Sequence, residues 1–242
     1  MLTIFKKEFS VYLSSLVAYI TIIIFLIVLS LVLWVFPDSS ILEYGYSSLE
    51  SLFNITPYLF MFLIPALTMR SFAEERKEGT YELLVSKPLT EWDILLGKYF
   101  ATLAVVLLAL IPTLVYYYSV YSLGVTVGNI DSGAVTGSYI GLFLLGAAFT
   151  AIGIFSSSIT KNQIIAFAVA VFLCFFAFSG FDSISSILSL QKVDWLLISL
   201  GINEHYQSIS RGVLDTRDLV YFLSFIALFL LITKTILGSR KW

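Results

Sequence analysis

The chain has 242 residues, 59% of them hydrophobic and only 12% charged, with a formal net charge of −2 and a mean hydropathy of +0.95. A water-soluble domain carries roughly a quarter of its residues as charges to keep its surface hydrated, so this composition excludes a soluble globular protein and makes lipid the main solvent. The single cysteine, Cys174, excludes an intrachain disulfide, and the single histidine, His205, has no neighbouring second ligand with which to hold a metal.

A bilayer core about 30 Å thick requires roughly 20 apolar residues per helix, and the chain supplies six such runs. Ahead of them, residues 1–15 read as an interfacial helix. Leu2, Phe5, Phe9, Tyr12 and Leu16 recur at helical spacing, with Lys6, Lys7, Ser10 and Ser14 on other faces. Such a helix serves as a topology anchor or as a docking element. Leu16 to Phe36 is uncharged and is the first expected span. Its apolar core is too long for a signal peptide and it runs into FPDSS without a small-x-small cleavage pattern, so it is expected to be retained. Phe53 to Met69 is the second span, with kinks expected at Pro57 and Pro65.

Residues 72–98 form the only long stretch dense in charge. Glu74 to Glu78 favour helix, Gly79 loosens the middle, and Tyr81, Leu83 and Leu84 supply an apolar side to a second short helix. Pro88 ends it. Thr90 and Asp93 carry a capping-box signature that opens a new helix, EWDILLGKYF, leading straight into the third span, and Trp92 and Tyr99 suit the membrane interface. A helix, a sharp turn and a second helix joined to a span make a lever, although an ordinary solvated loop carries the same mixture of charges.

Tyr99 to Tyr121 is the third span, bent at Pro112; Tyr116, Tyr117 and Tyr118 near its end fit an aromatic belt better than a substrate gate. Ser138 to Ser158 is the fourth. Its small residues Gly141, Gly146, Ala147, Ala148 and Gly153 point to close helix packing rather than substrate contact. Ile164 to Phe181, which encloses Cys174 as a small core residue, and Leu219 to Leu237 complete the set. No segment shows the alternating ten-residue pattern of a membrane barrel, so the expected fold is all-α and polytopic.

Lys and Arg favour the cytoplasmic side of short loops. With the N-terminus inside, Lys6, Lys7, Arg70, Arg76, Lys77, Lys87, Lys98, Lys161, Lys234, Arg240 and Lys241 are all cytoplasmic, and only Lys192, Arg211 and Arg217 are outside. The first two outer loops carry Asp38, Glu43, Glu50 and Asp131 but no Lys or Arg. Both termini are therefore expected in the cytoplasm. The chain has no G-x-x-x-x-G-K-[ST] phosphate loop, no G-x-S-x-G elbow and no H-E-x-x-H pattern, and the middles of its spans are almost free of ionisable groups. Ion-coupled transporters and intramembrane enzymes place such groups there despite the cost. A protein that moves something with neither fuel site nor ion relay takes its energy from a partner.

The stretch EERKEGTYELLVSKPLTEWDILLGKY resembles the cytoplasmic loop between the second and third spans of ABC-2 type transporter permeases. Glu74, Glu75, Arg76, Gly79, Thr80, Glu82, Leu83, Leu84, Pro88, Gly97 and Lys98 match that pattern, and HYQSISRGVLDTRDLVYFLS, residues 205–224, resembles the segment leading into the family's sixth span. The likeness extends over nearly the whole chain and, within the family, is greatest to the permease of the gliding-motility transporter. It implies one ABC-2 type transmembrane domain over residues 1–242, with a coupling loop at 72–98 and short outer re-entrant helices at 182–218, where ISSILSLQKVDWLLISLGI is too polar to span but amphipathic enough for the interface. It also implies a separate ABC ATPase that binds ATP and Mg, no cofactor in this chain, a second permease subunit of like or unlike sequence, membrane lipids around it, no nucleic acid, and residence in the cell inner membrane. By the same likeness Glu74, Glu75 and Arg76 belong at the ATPase contact, Gly79 and Thr80 shape the turn of the coupling helix, and Glu82 pairs with Lys77 or with a charge on the partner. Two other readings stay open: a membrane platform that anchors or powers a surface machine without carrying solute, and an intramembrane lipid-modifying enzyme.

Overall fold

A computed structural model describes residues 1–37, 40–41, 47–86, 88–124, 126–188, 198–212 and 215–239. Among them there is no strand. The helices are α1 (Leu2–Ser14), α2 (Leu16–Trp34), α3 (Glu50–Thr68), α4 (Ala73–Lys77), α5 (Thr80–Val85), α6 (Glu91–Leu110), α7 (Leu114–Leu123), α8 (Ser132–Ile159), α9 (Gln163–Phe175), α10 (Phe181–Leu188), α11 (Ile202–Ser210) and α12 (Thr216–Ser239). Six helical segments are long and apolar enough to cross a membrane: Leu16–Trp34, Glu50–Lys77, Glu91–Leu123, Ser132–Ile159, Gln163–Ser185 and Thr216–Ser239. An even number of crossings returns the chain to its starting side, and Lys234 near the end of α12 accordingly sits 5.2 Å over the ring of Trp92 at the start of α6.

The spans differ from the sequence reading mainly at their ends, and side-chain caps explain the differences. The fourth begins at Ser132 rather than Ser138 because Asp131 Oδ1 accepts the N–H groups of Gly133 and Ala134 at 2.9 and 3.0 Å, satisfying donors that a helix start leaves open. Asn162 Oδ1 does the same for Ile164 at 2.9 Å and opens α9 after a very short turn. The fifth span runs on to Ser185 through a wide π turn at Phe176–Gly180.

Within lipid no water can satisfy a freed carbonyl, so each proline has to be accommodated. Pro57 has no N–H to offer the carbonyl of Phe53, and the buried hydroxyl of Tyr206 on α11 donates to that oxygen at 2.6 Å. Pro112 interrupts the third span, where a single 3-10 turn at Ile111–Thr113 joins α6 to α7. There the Tyr139 hydroxyl donates to the Thr113 carbonyl at 3.1 Å. Buried Thr56, Thr150 and Ser156 each donate to the carbonyl four residues earlier in their own helix, which leaves their polar groups satisfied in apolar surroundings.

The core lies along α8, which α3, α6, α9, α11 and α12 surround. Because lipid tails are as apolar as leucine, helix association here depends on close packing rather than on escape from water. A Cβ at Gly141 would lie 3.0 Å from Ile209 Cγ2, one at Gly146 3.0 Å from Val106 Cγ1, and one at Gly153 2.8 Å from Thr68 Cβ. Ala147 and Ala148 are buried on the same helix, and Cys174 of α9 is fully buried. Gly153→Ala should therefore overpack the α3–α8 contact and destabilise the chain by about 1–3 kcal/mol. Thermal melting in detergent checks this, with Thr68→Ala expected to restore part of the loss; an unchanged melting temperature in the single variant contradicts the contact.

The side of α1 that packs within the protein is marked by Ile4 and Glu8. Leu2 and Leu16 are 70% and 73% exposed, Phe5, Phe9 and Tyr12 are half-buried, and the buried positions are Ile4 and Glu8. The reason is that α1 lies against α6 as well as facing lipid. Gly97 makes room for it, since a Cβ there would fall 2.7 Å from both Ile4 Cβ and Cγ2. On the far side, α10 continues the fifth span into the segment 182–218 and α11 is a short helix within it; Lys192 and the remainder of 189–197 lie outside the described residues, as do Asp38, Glu43, Lys87, Arg240 and Lys241. His205 fastens this segment to the last span, with Nδ1 2.7 Å from Asp218 Oδ1, Nε2 3.0 Å from the Ser199 carbonyl, and its ring stacked on Tyr221.

Candidate functional site

The charged stretch folds into an elbow, α4 followed by α5, held between α3 and α6. Its first helix borrows a cap from another span. Ser157 Oγ near the end of α8 accepts the N–H groups of Phe72 and Ala73 at 3.0 and 3.1 Å, and its hydroxyl donates to the Met69 carbonyl at 3.0 Å. One serine thus joins the end of the second span to the end of the fourth. Nothing in the local spacing around residue 72 signals this, because the capping residue comes from a distant part of the chain.

Arg76 is buried. Its guanidinium donates to the Ser158 carbonyl, one of the last carbonyls of α8 that a helix end leaves unpaired, and its carbon lies 5.4 Å from the centre of the Tyr81 ring. A cation at that end also complements the helix dipole. Gly79 then breaks the helix with φ +73°, a left-handed conformation that costs a residue with a side chain about 1–2 kcal/mol. No atom lies within 4 Å of where its Cβ would be, so the glycine is required by the backbone and not by packing. Thr80 Oγ1 donates back to the Glu75 carbonyl at 3.3 Å across the turn. The capping box at the next helix forms as its spacing indicates: Thr90 Oγ1 accepts the Asp93 N–H at 3.1 Å, and Asp93 Oδ2 accepts that of Thr90 at 3.2 Å.

A four-residue charge network locks the elbow to its neighbours. Lys98 on α6 is 1% exposed; its Nζ lies 2.9 Å from Glu75 Oε1 of α4 and 3.1 Å from Glu8 Oε1 of α1. Lys7 closes the arrangement from outside, 3.2 Å from Glu8 Oε1 and 3.4 Å from Glu75 Oε1. The Phe72 ring, 5.2 Å from the Lys98 ammonium, adds a cation–π contact. Burial pulls the Lys7 ammonium toward its neutral form, but the carboxylates of Glu8 and Glu75 outweigh it and hold the group above its ordinary value. Its contribution is then complete below the ordinary lysine range and is lost only as pH rises through the raised value, so Lys7 keeps its charge at neutral pH. Beside it, the Tyr12 hydroxyl donates to the Leu67 carbonyl at 3.1 Å and lies 3.0 Å from Thr102 Oγ1. The family resemblance marks Glu75 and Lys98; Lys7 and Tyr12 enter the sequence reading only as positions of the N-terminal helix, and Glu8 and Ser157 do not enter it.

These contacts divide the elbow into two faces. Arg76 is turned into the protein, and Glu74 and Glu75 are half-buried. Lys77, Glu78, Gly79, Thr80, Glu82 and Leu83 are exposed, Leu83 to 68%. Glu82 makes no ion pair with Lys77 among the described residues. The same residues contain no group of His, Cys, Asp and Glu able to hold a metal ion.

Six helical spans, with the small-residue helix α8 at their core, define a multi-pass membrane protein. Residues 39–233 match the model of a family described as ABC-2 family transporter protein, and the chain belongs to that family. Membership makes it the membrane-spanning permease subunit of an ABC exporter, a transport component whose ATP hydrolysis falls to a partner ATPase. No curated protein matches the chain significantly.

Proposed function

We propose that the elbow at residues 72–98 is the coupling element of this permease, facing the cytoplasm together with both termini, and that an ATPase carried on a separate chain docks on it. The observation that carries this reading is the division of the elbow into an anchored and an exposed face. Glu75 and Arg76 tie α4 to α6, α1 and α8, so a push on α5 passes into three elements instead of being absorbed by a loose loop. The outward residues Lys77, Glu78, Thr80, Glu82 and Leu83 are the contact surface; Glu75 and Arg76 act behind it as the brace, and Glu74 lies at the edge between them. ATP and Mg belong to the ATPase, and this chain contributes no cofactor site. The working unit contains two permease chains, of like or unlike sequence, in the cell inner membrane.

Export of a solute is the first reading, and service to a gliding machine is a narrower one that rests on the likeness of the loop. Copurification from the native membrane, followed by ATP hydrolysis sensitive to vanadate, tests the coupling. The expected result is an ATPase subunit retained by the native chain and lost when Thr80 is changed to proline. A native chain that comes out alone, without hydrolysis, removes the energy source and the proposal with it. Movement of solute in sealed vesicles then separates an exporter from a platform.

A further inference from the structure

A cleft of about 340 Å³ opens beside the charge network, between α1, the end of α3 and α4. That volume falls within the ~300–1,000 Å³ typical of small-molecule sites. Its polar wall carries Lys7, Arg70, Ser15, Ser71, Glu74 and Glu78, while Val17, Ala18, Ala66 and Leu67 line the side that runs into the membrane. Among the described residues three polar atoms lining the cleft are buried without a hydrogen-bond partner: Ser71 Oγ, on a residue 6% exposed, Glu75 Oε2, and Glu8 Oε1, which the ammonium groups of Lys98 and Lys7 face at 3.1 and 3.2 Å. Orphaned groups of this kind are costly unless something outside the chain satisfies them.

The cleft leads onto a second depression. An apolar groove of about 250 Å³ runs between α2 and α3, walled by Ile24, Val28, Leu59, Phe62 and Phe167, and it shares Ala66 with the cleft. Successive turns of α2 and α3 thus pass from a charged region at the membrane interface to an apolar one within the bilayer, whose single polar lining residue, Thr21, donates its hydroxyl to the Val17 carbonyl of its own helix. The polarity is that of an amphiphile, with its head in the cleft and a chain along the groove.

The charges narrow the head. Lys98 is buried between Glu8 and Glu75, and Lys7 pairs with the same two carboxylates while staying half in solvent; the cleft therefore offers Arg70 and the exposed side of Lys7 as cations, and Glu74, Glu78 and the second oxygen of Glu75 as acceptors. An anion alone would meet the glutamates, and a cation alone would meet Arg70. We infer that the α1–α3–α4 cleft and the adjoining α2–α3 groove bind one membrane phospholipid with a zwitterionic phosphoethanolamine head. Its phosphate faces Arg70, Lys7 and the Ser71 hydroxyl, its ammonium donates to the glutamate carboxylates, and one acyl chain follows Ala66 into the groove. A choline head has no N–H to donate, and a glycerol head brings a negative charge with no compensating cation. Both are weaker ligands.

Native mass spectrometry of the purified chain, supplied with equal amounts of dioleoyl phosphatidylethanolamine, phosphatidylcholine and phosphatidylglycerol, tests this without any mutation. One phosphatidylethanolamine per chain should be retained in preference to each of the others by about tenfold, the worth of one charge-assisted hydrogen bond. Arg70→Gln and Glu78→Gln should each reduce that retention by about the same factor. Ala66→Trp, which fills the junction between cleft and groove, should abolish it in a chain that remains monodisperse, and glycerophosphoethanolamine without chains should not compete. Equal retention of the three lipids, no retention, or retention unaffected by Ala66→Trp overturns the inference. So does an Ala66→Trp chain whose only change is loss of an oligomer, since the groove would then be filled by a second copy.

Discussion

Lys98→Met should lower the stability of this protein more than any single change on the elbow that it holds. The lysine is 1% exposed, and its two carboxylate partners are themselves only 11% and 15% exposed. Removing the cation leaves Glu8 and Glu75 with Lys7 alone, which is half in solvent and farther from both than Lys98 is. Breaking a buried pair from one side typically costs about 3–5 kcal/mol because the remaining charge is uncompensated, a large share of the ~5–15 kcal/mol that separates folded from unfolded states. Neutralising all three, as Lys98→Met with Glu8→Gln and Glu75→Gln, should recover most of the loss, since apolar or neutral replacements of a whole buried network are often nearly neutral. Melting in detergent of the native, single and triple variants reads the effect directly. A single variant that melts with the native chain would show that the network contributes nothing to holding α1, α4 and α6 together.

That network also marks where sequence reasoning stops. The spans are legible because each is a long uncharged run that only a helix can carry through lipid. Thr90 and Asp93 are legible because a capping box is a local spacing, and Gly79 because a glycine between two short helical patterns reports a backbone need. The resemblance of the loop to that of ABC-2 permeases also marks Glu75, Arg76 and Lys98 as residues of interest. It does not show which way those side chains point. Arg76 turns inward because the open end of α8 lies beneath it, and Glu75 because Lys98 arrives from the next span and Glu8 from the first helix. The Ser157 cap and the Tyr206 hydroxyl on the Phe53 carbonyl are invisible for the same reason: each satisfies a group distant in sequence, and only the packing of helices supplies the partner. Glu8 is hidden in the same way, because the spacing along α1 does not show that Lys98 of α6 comes to meet it.

The direction of Arg76 turns the coupling proposal into a contrast between two variants. Leu83 is 68% exposed on α5, amid the charges of Lys77, Glu78 and Glu82, which is the arrangement of a docking patch with an apolar anchor and a polar rim. Leu83→Asp removes the anchor and places a charge at the centre of the contact. A lost anchor of this kind is worth about 2 kcal/mol, or about thirtyfold in affinity for the ATPase, while the melting temperature of the isolated permease should be nearly unchanged because the Leu83 side chain is mostly exposed. Arg76→Ala should do the reverse. It withdraws a charged donor from the Ser158 carbonyl and should cost about 1.5–3 kcal/mol of stability, with ATPase binding in the surviving folded fraction close to native. Titration of the purified ATPase against each variant, alongside melting curves, distinguishes the two roles. Were the ATPase to grip Arg76 itself, the arginine variant would lose affinity without losing stability, and the division of the elbow into brace and contact face would have to be abandoned.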